Sequence, residues 1–486
     1  MIYRLRPYQE DCVKSISDYI NSDRRDPVLI VAPVAAGKSI LIAEAARLMG
    51  DKTLVLQPSR ELLTQNHDKI TSYGIPATIY SASCGKKELS NMIYATLGSI
   101  KKVVGQLKEM GIRNVLIDEA HAGYSPEDGS EFMTFMNELK PRKVIGFTAT
   151  PCRLKNMSIG QTSYSQLNFI TRMRPVYFKN LIHVIQVEEM IRQGFWTPLK
   201  YETWDFNGDA LKLNSNGSEY TAESISEAVR KNGLNNLILR RLMVLKDVCR
   251  SILVFMDSVE SCNTAAEWMN AKICAGMAEV VHGGTPKKQR EAIVERFKSG
   301  KTKVVFNYSA LGTGFDHPGL DCVIVGRPTF SFSSFYQWLG RAVRIKDGKD
   351  SALVVDCCNN SSRFGDIRKL SIENYKGYGW GMFIGDKLIT NIPMGDKVTK
   401  TDLDIKAAKK DRRRGLAQGI TASPVPGRPD HPLGSTVMTF GKYSGWMLHS
   451  IPVSYFKFIN ETFDWDNDRN KEIKEYIDFL IKNNRL

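Results

Sequence analysis

Ala32-Pro33-Val34-Ala35-Ala36-Gly37-Lys38-Ser39 places a lysine and a hydroxyl side by side after a loop of small residues. The loop lies between the aliphatic run Val28–Val31 and a helix-forming stretch. That order describes a phosphate cradle: loop backbone N–H groups and the following helix N-terminus hold an anion. Lys38 would reach the β- and γ-phosphates of a nucleotide, and Ser39 would ligate Mg²⁺. Ala32 stands where the commonest form of the pattern has glycine. Further on, Val115-Leu-Ile-Asp118-Glu119-Ala-His121 is an apolar run ending in adjacent carboxylates. Asp118 suits the Mg²⁺ shell, and Glu119 can polarise a water for attack on the γ-phosphate. An acidic pair at a strand end is commonly just solvated. One that follows a phosphate loop, both at strand C-terminal edges where ligands collect, points to nucleotide hydrolysis. A third cluster, Gln337-Trp-Leu-Gly340-Arg341-Ala-Val-Arg344, puts Gln337, Arg341 and Arg344 on one helix face by i, i+4, i+7 spacing.

The elements that must position these groups alternate between strand and helix. Val28–Val31, Thr53–Leu56, Val115–Ile117 and Lys143–Gly146 read as buried parallel strands, with helical segments such as Ile40–Met49 and Glu61–Tyr73 between them. A second series runs through Ile252–Phe255, Glu279–Val281, Lys303–Phe306, Val323–Val325 and Ala352–Val355. The expected fold class is therefore α/β, with two parallel-sheet domains in tandem. Asn207–Glu223 is polar and reads as a loop or insertion. After Asp356 the rhythm stops. The basic run Lys397–Arg414 and the stretch Pro424–Pro429 suggest a linker ahead of a small C-terminal α+β unit.

Composition narrows the function classes. The 486 residues are 42% hydrophobic and 24% charged, which suits folded domains rather than a disordered scaffold. No window approaches ~18 consecutive apolar residues, and the charged start Met1–Asp11 lacks the apolar core of a secretory signal, so a cytoplasmic location without membrane partners is expected. Nine cysteines lack the paired spacing of a zinc ribbon and read as reduced thiols. The formal charge of +15 favours a polyanionic partner, nucleic acid first.

With these motifs in order, the sequence resembles superfamily 2 helicases of the DEAH-box kind, whose two RecA-like halves would cover about three quarters of the chain. The resemblance implies ATP and Mg²⁺ as cofactors. It assigns Gln9, in Leu5-Arg-Pro-Tyr-Gln9, to adenine recognition and Thr148-Ala-Thr-Pro151 to the link between hydrolysis and nucleic acid. It also places Gly314 and Asp316, in Leu311–Asp316, near the nucleotide, and makes Arg344 the arginine finger with Arg341 beside it. Such a finger is worth ~10³–10⁵ in rate. The same resemblance gives a nucleic-acid track: Ser59 and Arg60 in Gln57–Leu63, Thr96 and Ser99 in Ala95–Ile100, Ser258 in Phe255–Val259, Gly283, Thr285 and Arg290, and Thr313. Short polar residues at strand ends are also ordinary turn and cap residues; their order carries the assignment.

The implied layout is a first RecA-like domain over 1–190, a junction over 191–235, a second over 236–365, an extension over 366–430 and a module over 431–486. The opening Arg6-Pro-Tyr-Gln9 and the Gly194–Leu199 junction resemble DNA motors, especially phage and bacterial branch-migration enzymes. The expected activity is an ATP-dependent DNA helicase or translocase on single-stranded, forked or branched DNA, with replication or recombination proteins as partners. If the chain is phage-encoded, its location would be the host cytoplasm. A non-unwinding remodeller, a restriction-type motor or an RNA helicase would carry the same motor motifs. In the C-terminal unit, Lys442, Tyr443, Trp446, Tyr455 and Lys457 suit either base stacking or the core of a small domain.

Overall fold

Runs of aliphatic and β-branched residues too short for helices become the strands of two parallel sheets in the computed structural model. The structure describes residues 4–124, 126–127, 129–159, 162–311, 315–376, 378–407, 431–440, 443–451, 453–462, 465 and 470–483. Thr313, Gly314, Lys442 and the Pro424–Pro429 stretch lie outside the described residues, as does the basic run beyond residue 407. The chain divides into two compact units, Met1–Tyr375 with Gly379–Val398, and Lys376–Tyr378 with Thr399–Leu486. Both parallel sheets belong to the first unit.

The first sheet contains β1 (Val28–Val31), β2 (Thr53–Leu56), β3 (Thr78–Ser81), β4 (Lys86–Lys87), β5 (Met92–Ala95), β6 (Asn114–Ile117) and β7 (Lys143–Thr148). The hairpin β8 (Cys152–Ile159)–β9 (Thr162–Phe169) follows, then the edge strand β10 (Asn180–Val184). The spatial order is β10-β1-β7-β6-β2-β5-β3-β4, parallel except at β3–β4. Because β7 separates β1 from β6, the loops after these three strands open side by side at one sheet edge. Helices α1 (Pro7–Asn21), α2 (Lys38–Met49) and α3 (Arg60–Thr71) pack in a row.

The second sheet contains β11 (Leu199–Thr203), β12 (Ile252–Phe255), β13 (Ala278–His282), β14 (Val304–Tyr308), β15 (Cys322–Val325) and β16 (Ala352–Asp356). All pairs are parallel, in the order β11-β16-β15-β12-β14-β13. These are the two RecA-like lobes. The stretch 366–430, expected as an extension, carries an antiparallel hairpin, β17 (Leu370–Tyr375) and β18 (Gly379–Ile384). Its side chains Leu370, Ile372, Met382 and Ile384 join the apolar core of the lobes.

In the second unit, the helices Val453–Thr462 and Lys471–Lys482 enclose Phe456, Ile459, Ile473, Tyr476, Ile477 and Leu480. Tyr443, Trp446 and Tyr455 pack against that core and on one another, with ring centroids 5.4 and 4.7 Å apart. Among the described residues, no helix is long and apolar enough to cross a membrane.

Candidate active site between the lobes

The loop after β1 turns into α2 through Gly37, whose φ is +80°. A Cβ there would lie 2.4 Å from Gln9 Nε2, so both backbone conformation and space call for glycine. Lys38 then lies between the carboxylates that follow β6. Its Nζ is 2.9 Å from Asp118 Oδ1 and also pairs with Glu119. Asp118 is buried and held by Asn66 Nδ2 at 2.9 Å and by the Glu119 backbone N–H at 2.8 Å. Glu119 adopts a left-handed φ of +47°, an uncommon backbone for a residue with a Cβ, and with it both carboxylates engage one ammonium. Burial raises the Asp118 pKa against the pull of Lys38. For Lys38, burial acts downward, but the charges of Asp118 and Glu119 offset it and leave the pKa raised, so the ammonium stays charged. Two carboxylates that already hold a cation, with the Ser39 hydroxyl beside them, are hard oxygen donors that fit Mg²⁺.

A cavity of about 330 Å³ opens beside these groups and draws walls from both lobes. Ala32, Pro33, Val34, Ala35, Gly37, Lys38, Ser39 and Glu119 come from the first lobe; Asp316, Gln337, Gly340, Arg341 and Arg344 come from the second. Ala36 is buried behind the loop. Arg344 pairs with Asp316, and Arg341 donates to the Phe315 carbonyl at 2.6 Å. Burial, then the neighbouring Arg344, pulls Arg341 down to about 9, which leaves it cationic at neutral pH. The lobes touch closely here: a Cβ on Gly340 would lie 2.6 Å from Val34 Cβ.

Gln9 does not line the cavity. Its Nε2 donates to the Ala36 carbonyl at 2.8 Å, and its Oε1 accepts the Arg6 backbone N–H at 3.0 Å, so its amide braces the loop. The wall at this end is instead Arg6, with its guanidinium 4.6 Å from the Phe195 ring centroid. That pair offers a flat, cationic–aromatic surface to a base. Sequence reasoning missed both residues. The signal was an aromatic in the junction Gly194–Leu199 and an arginine three residues before Gln9.

His121 joins the lobes through hydroxyls. Its Nδ1 is 2.8 Å from Thr148 Oγ1 and 3.4 Å from Glu119 Oε2; its Nε2 is 3.2 Å from Ser333 Oγ in the second lobe. Ser333 Oγ is also 3.1 Å from Thr150 Oγ1. Burial, with Lys38 and Arg153 nearby, depresses His121 to about 3, so the ring is neutral. A neutral ring donates from one nitrogen and accepts at the other. Donation from Nδ1 to Thr148 leaves Nε2 to accept from Ser333, whose oxygen then accepts from Thr150. Ser333 was not among the residues selected from sequence.

The proposed nucleic-acid residues follow β2, β5, β12 and β13 and already serve local structure. Ser59 caps α3 by accepting the Leu62 N–H, and Ser258 caps the helix Val259–Lys272 by accepting the Ser261 N–H. Thr96 and Ser99 share a 3.2 Å hydrogen bond, and Thr285 Oγ1 accepts the His282 N–H. Arg60 and Gly283 are exposed. Arg290 reaches across the lobes to Glu61, 3.8 Å away.

Comparisons with known proteins divide the chain at the same cleft. The family described as "Type III restriction enzyme, res subunit" matches residues 2–153, and "Helicase conserved C-terminal domain" matches residues 235–346. A 51.5 kDa protein of Lactococcus phage (isolate 7-9) is 25% identical over 68% of this chain and 65% of its own length. The DNA 3'-5' translocase XPB2 of Sulfurisphaera tokodaii is 24% identical over 72% of this chain and 80% of that protein. The chain spans 52% and 58% of matched relatives from Saccharomyces cerevisiae and Schizosaccharomyces pombe. Among solved structures, the ATP-dependent Type ISP restriction-modification enzyme LlaBIII bound to DNA shares the fold. Its TM-score is 0.53 at 15% identity, over 86% of this chain and 30% of that one.

Proposed function

From the premise that this chain carries both motor lobes of a superfamily 2 helicase-type ATPase, we propose an ATP-dependent DNA translocase that remodels forked or branched DNA. One observation carries the reading: a single cavity takes Lys38, Ser39 and Glu119 from one lobe and Gln337, Arg341 and Arg344 from the other. Lys38 would hold the terminal phosphates, Glu119 would take a proton from the attacking water, and Arg344 and Arg341 would meet the charge developing on the transferred phosphoryl group. Mg²⁺, held by Ser39 and Asp118, would neutralise phosphate charge. Engagement of the arginines draws the lobes together and their release lets the lobes part, so two backbone grips alternate along one strand.

The DNA preference is supported by the named activity of the translocase relative and by the junction pattern Gly194–Leu199. The proposed setting is the cytoplasm, that of a host if the chain is phage-encoded, alongside replication or recombination proteins. The test measures ATP turnover without nucleic acid, with single-stranded, forked and four-way DNA, and with RNA, beside strand displacement. Stimulation by DNA above RNA, strongest on branched forms, is expected; equal or no stimulation overturns the proposal. A second reading, a restriction-type motor that tracks DNA without opening it, is favoured by the family matched over residues 2–153. It predicts DNA-stimulated turnover without strand displacement.

A further inference from the structure

Beneath α3 the first sheet presents polar side chains where a core would have apolar ones. Val55 of β2 is paired with Tyr94 of β5 on one side and Leu116 of β6 on the other, so these three side chains point to one face. The ladder runs one residue past β2 and β6, through Gln57 N–H to the Ala95 carbonyl and Asp118 N–H to the Leu56 carbonyl. Gln57 and Asp118, two residues beyond Val55 and Leu116, therefore share that face. α3 covers it: the His67 ring meets Tyr94 edge to face at 6.0 Å, and Asn66 Nδ2 donates to Asp118 Oδ2 at 2.9 Å. Gln57, Asn66, Tyr94 and Asp118 are all buried. Asn66 Oδ1, both amide atoms of Gln57 and the Tyr94 hydroxyl have no hydrogen-bond partner among the described residues.

Buried polar groups are almost always partnered, so an amide with its carbonyl unbonded is a poor way to fill a core. What Asn66 does make is the bond to Asp118. The other oxygen of that carboxylate is taken by Lys38 and the Glu119 N–H, so the carboxylate plane is set from both sides. A carboxylate oriented in advance is a better metal ligand than one that must turn. α3 also reaches outward. It starts at the Ser59 cap with Arg60 exposed in its first turn, and its Leu62, Gln65 and Lys69 line the nucleotide cavity. A shift of this helix moves Asn66 against Asp118. We propose that Asn66 is a positioning residue: it holds Asp118 in its magnesium-binding orientation and, carried on α3, makes that orientation answer to a strand held at Ser59 and Arg60. This role rests on the ATP-driven DNA-motor reading. Such coupling is reciprocal, so a bound strand lowers the Mg²⁺ needed to hold nucleotide.

Two substitutions in the full-length chain separate positioning from packing. Asn66→Leu keeps the volume but has no donor. Asn66→Ser loses volume yet keeps a hydroxyl, with room for a water to carry its bond to Asp118. The Mg²⁺ concentration that half-saturates binding of a fluorescent, non-hydrolysable ATP analogue is measured with and without a dT oligonucleotide, beside Tm. In the wild type the oligonucleotide should lower that concentration at least ~5-fold. In Asn66→Leu it should rise ~10- to 100-fold and no longer respond to the oligonucleotide, with Asn66→Ser in between. A packing role alone gives the reverse order, Asn66→Ser the worse and both shifts following Tm. That order overturns the role of Asn66, as does a wild-type Mg²⁺ requirement or a retained oligonucleotide response in Asn66→Leu. Should Asn66→Leu not fold, Asn66→Met, adaptable in shape and equally without a donor, takes its place. A wild-type protein that binds the oligonucleotide with no change in its Mg²⁺ requirement overturns the coupling. One whose nucleotide binding ignores Mg²⁺, or that binds no oligonucleotide, overturns the motor reading itself.

Discussion

Gly340 offers a direct test of whether the lobes close as the cavity implies. It ends the helix Phe332–Leu339 with φ −59°, a backbone any residue adopts, so conformational freedom is not what requires glycine. Space is. A Cβ at this position would lie 2.6, 2.7 and 2.8 Å from Val34 Cβ, Cγ2 and Cγ1. Optimal carbon contacts are ~3.5–4.0 Å, so Gly340→Ala must push the phosphate loop and the arginine helix apart by about 1 Å. Overpacking of this kind costs ~1–3 kcal/mol, which lowers the closed population ~5- to 150-fold. Steady-state turnover with saturating ATP and single-stranded DNA should fall within that range. Val34→Gly removes all three opposing carbons, so in that background the added methyl should cost less than ~twofold. Turnover of Gly340→Ala within twofold of wild type would refute the closure argument. An undiminished penalty in the Val34→Gly background would refute the steric account of it.

Other expectations follow from the same geometry. Glu119→Gln should retain ATP binding while turnover drops ~10²–10⁴-fold, measured by nucleotide binding beside phosphate release; near-normal turnover would remove Glu119 as the base. Ser333→Ala deletes the hydrogen bonds that join His121 and Thr150 to the second lobe. At ~1 kcal/mol for each bond lost, turnover should fall ~5- to 30-fold with the ATP KM little changed, and Ser333→Thr should recover part of it. DNA affinity should fall steeply between low and physiological salt, and a flat titration would contradict a backbone grip. Burial, and then Lys346 among nearby lysines, pushes His317 down to about 4 from 6.5. Its unfolded state therefore binds more protons in that window, and stability is lost as pH falls from about 6.5 towards 4. The Tm should drop on acidification, and less so in His317→Gln.

Most strands legible in the sequence are buried on both faces, although β5, equally buried, was not read. β1, β2, β6, β12 and β15 are buried at every position and stand out as unbroken apolar runs. The edge strands β10 and β11 were not readable in this way, although the edge strand β13 was. β10 is exposed or half-buried throughout, and β11 alternates irregularly, so neither carries a continuous apolar signal. The site divides similarly. Lys38 with Ser39, Asp118 with Glu119, and Arg341 with Arg344 are each a few residues apart, so local geometry alone presents them together. Asn66, Ser333, Arg6 and Phe195 are ordinary residue types whose importance arises only from contacts with distant segments.

The proposed strand contacts lie between these cases, because one residue can serve both local structure and a strand. Ser59 Oγ accepts the Leu62 N–H at 3.3 Å, which occupies an acceptor position and leaves the hydroxyl proton able to reach a phosphate. Capping and gripping are therefore compatible at Ser59. At Ser258 the hydroxyl also donates to Ser261 Oγ at 3.0 Å, so a phosphate contact there requires that proton to rotate away. Of two serines with the same cap and the same place in the resemblance, Ser59 is thus the better prepared to hold a strand. Ser59→Ala should cost cap stability of ~1 kcal/mol together with strand affinity, whereas Ser258→Ala should cost chiefly the cap. Comparing melting with strand binding for the two variants separates these effects, and equal affinity losses would show that the existing hydrogen bond does not matter.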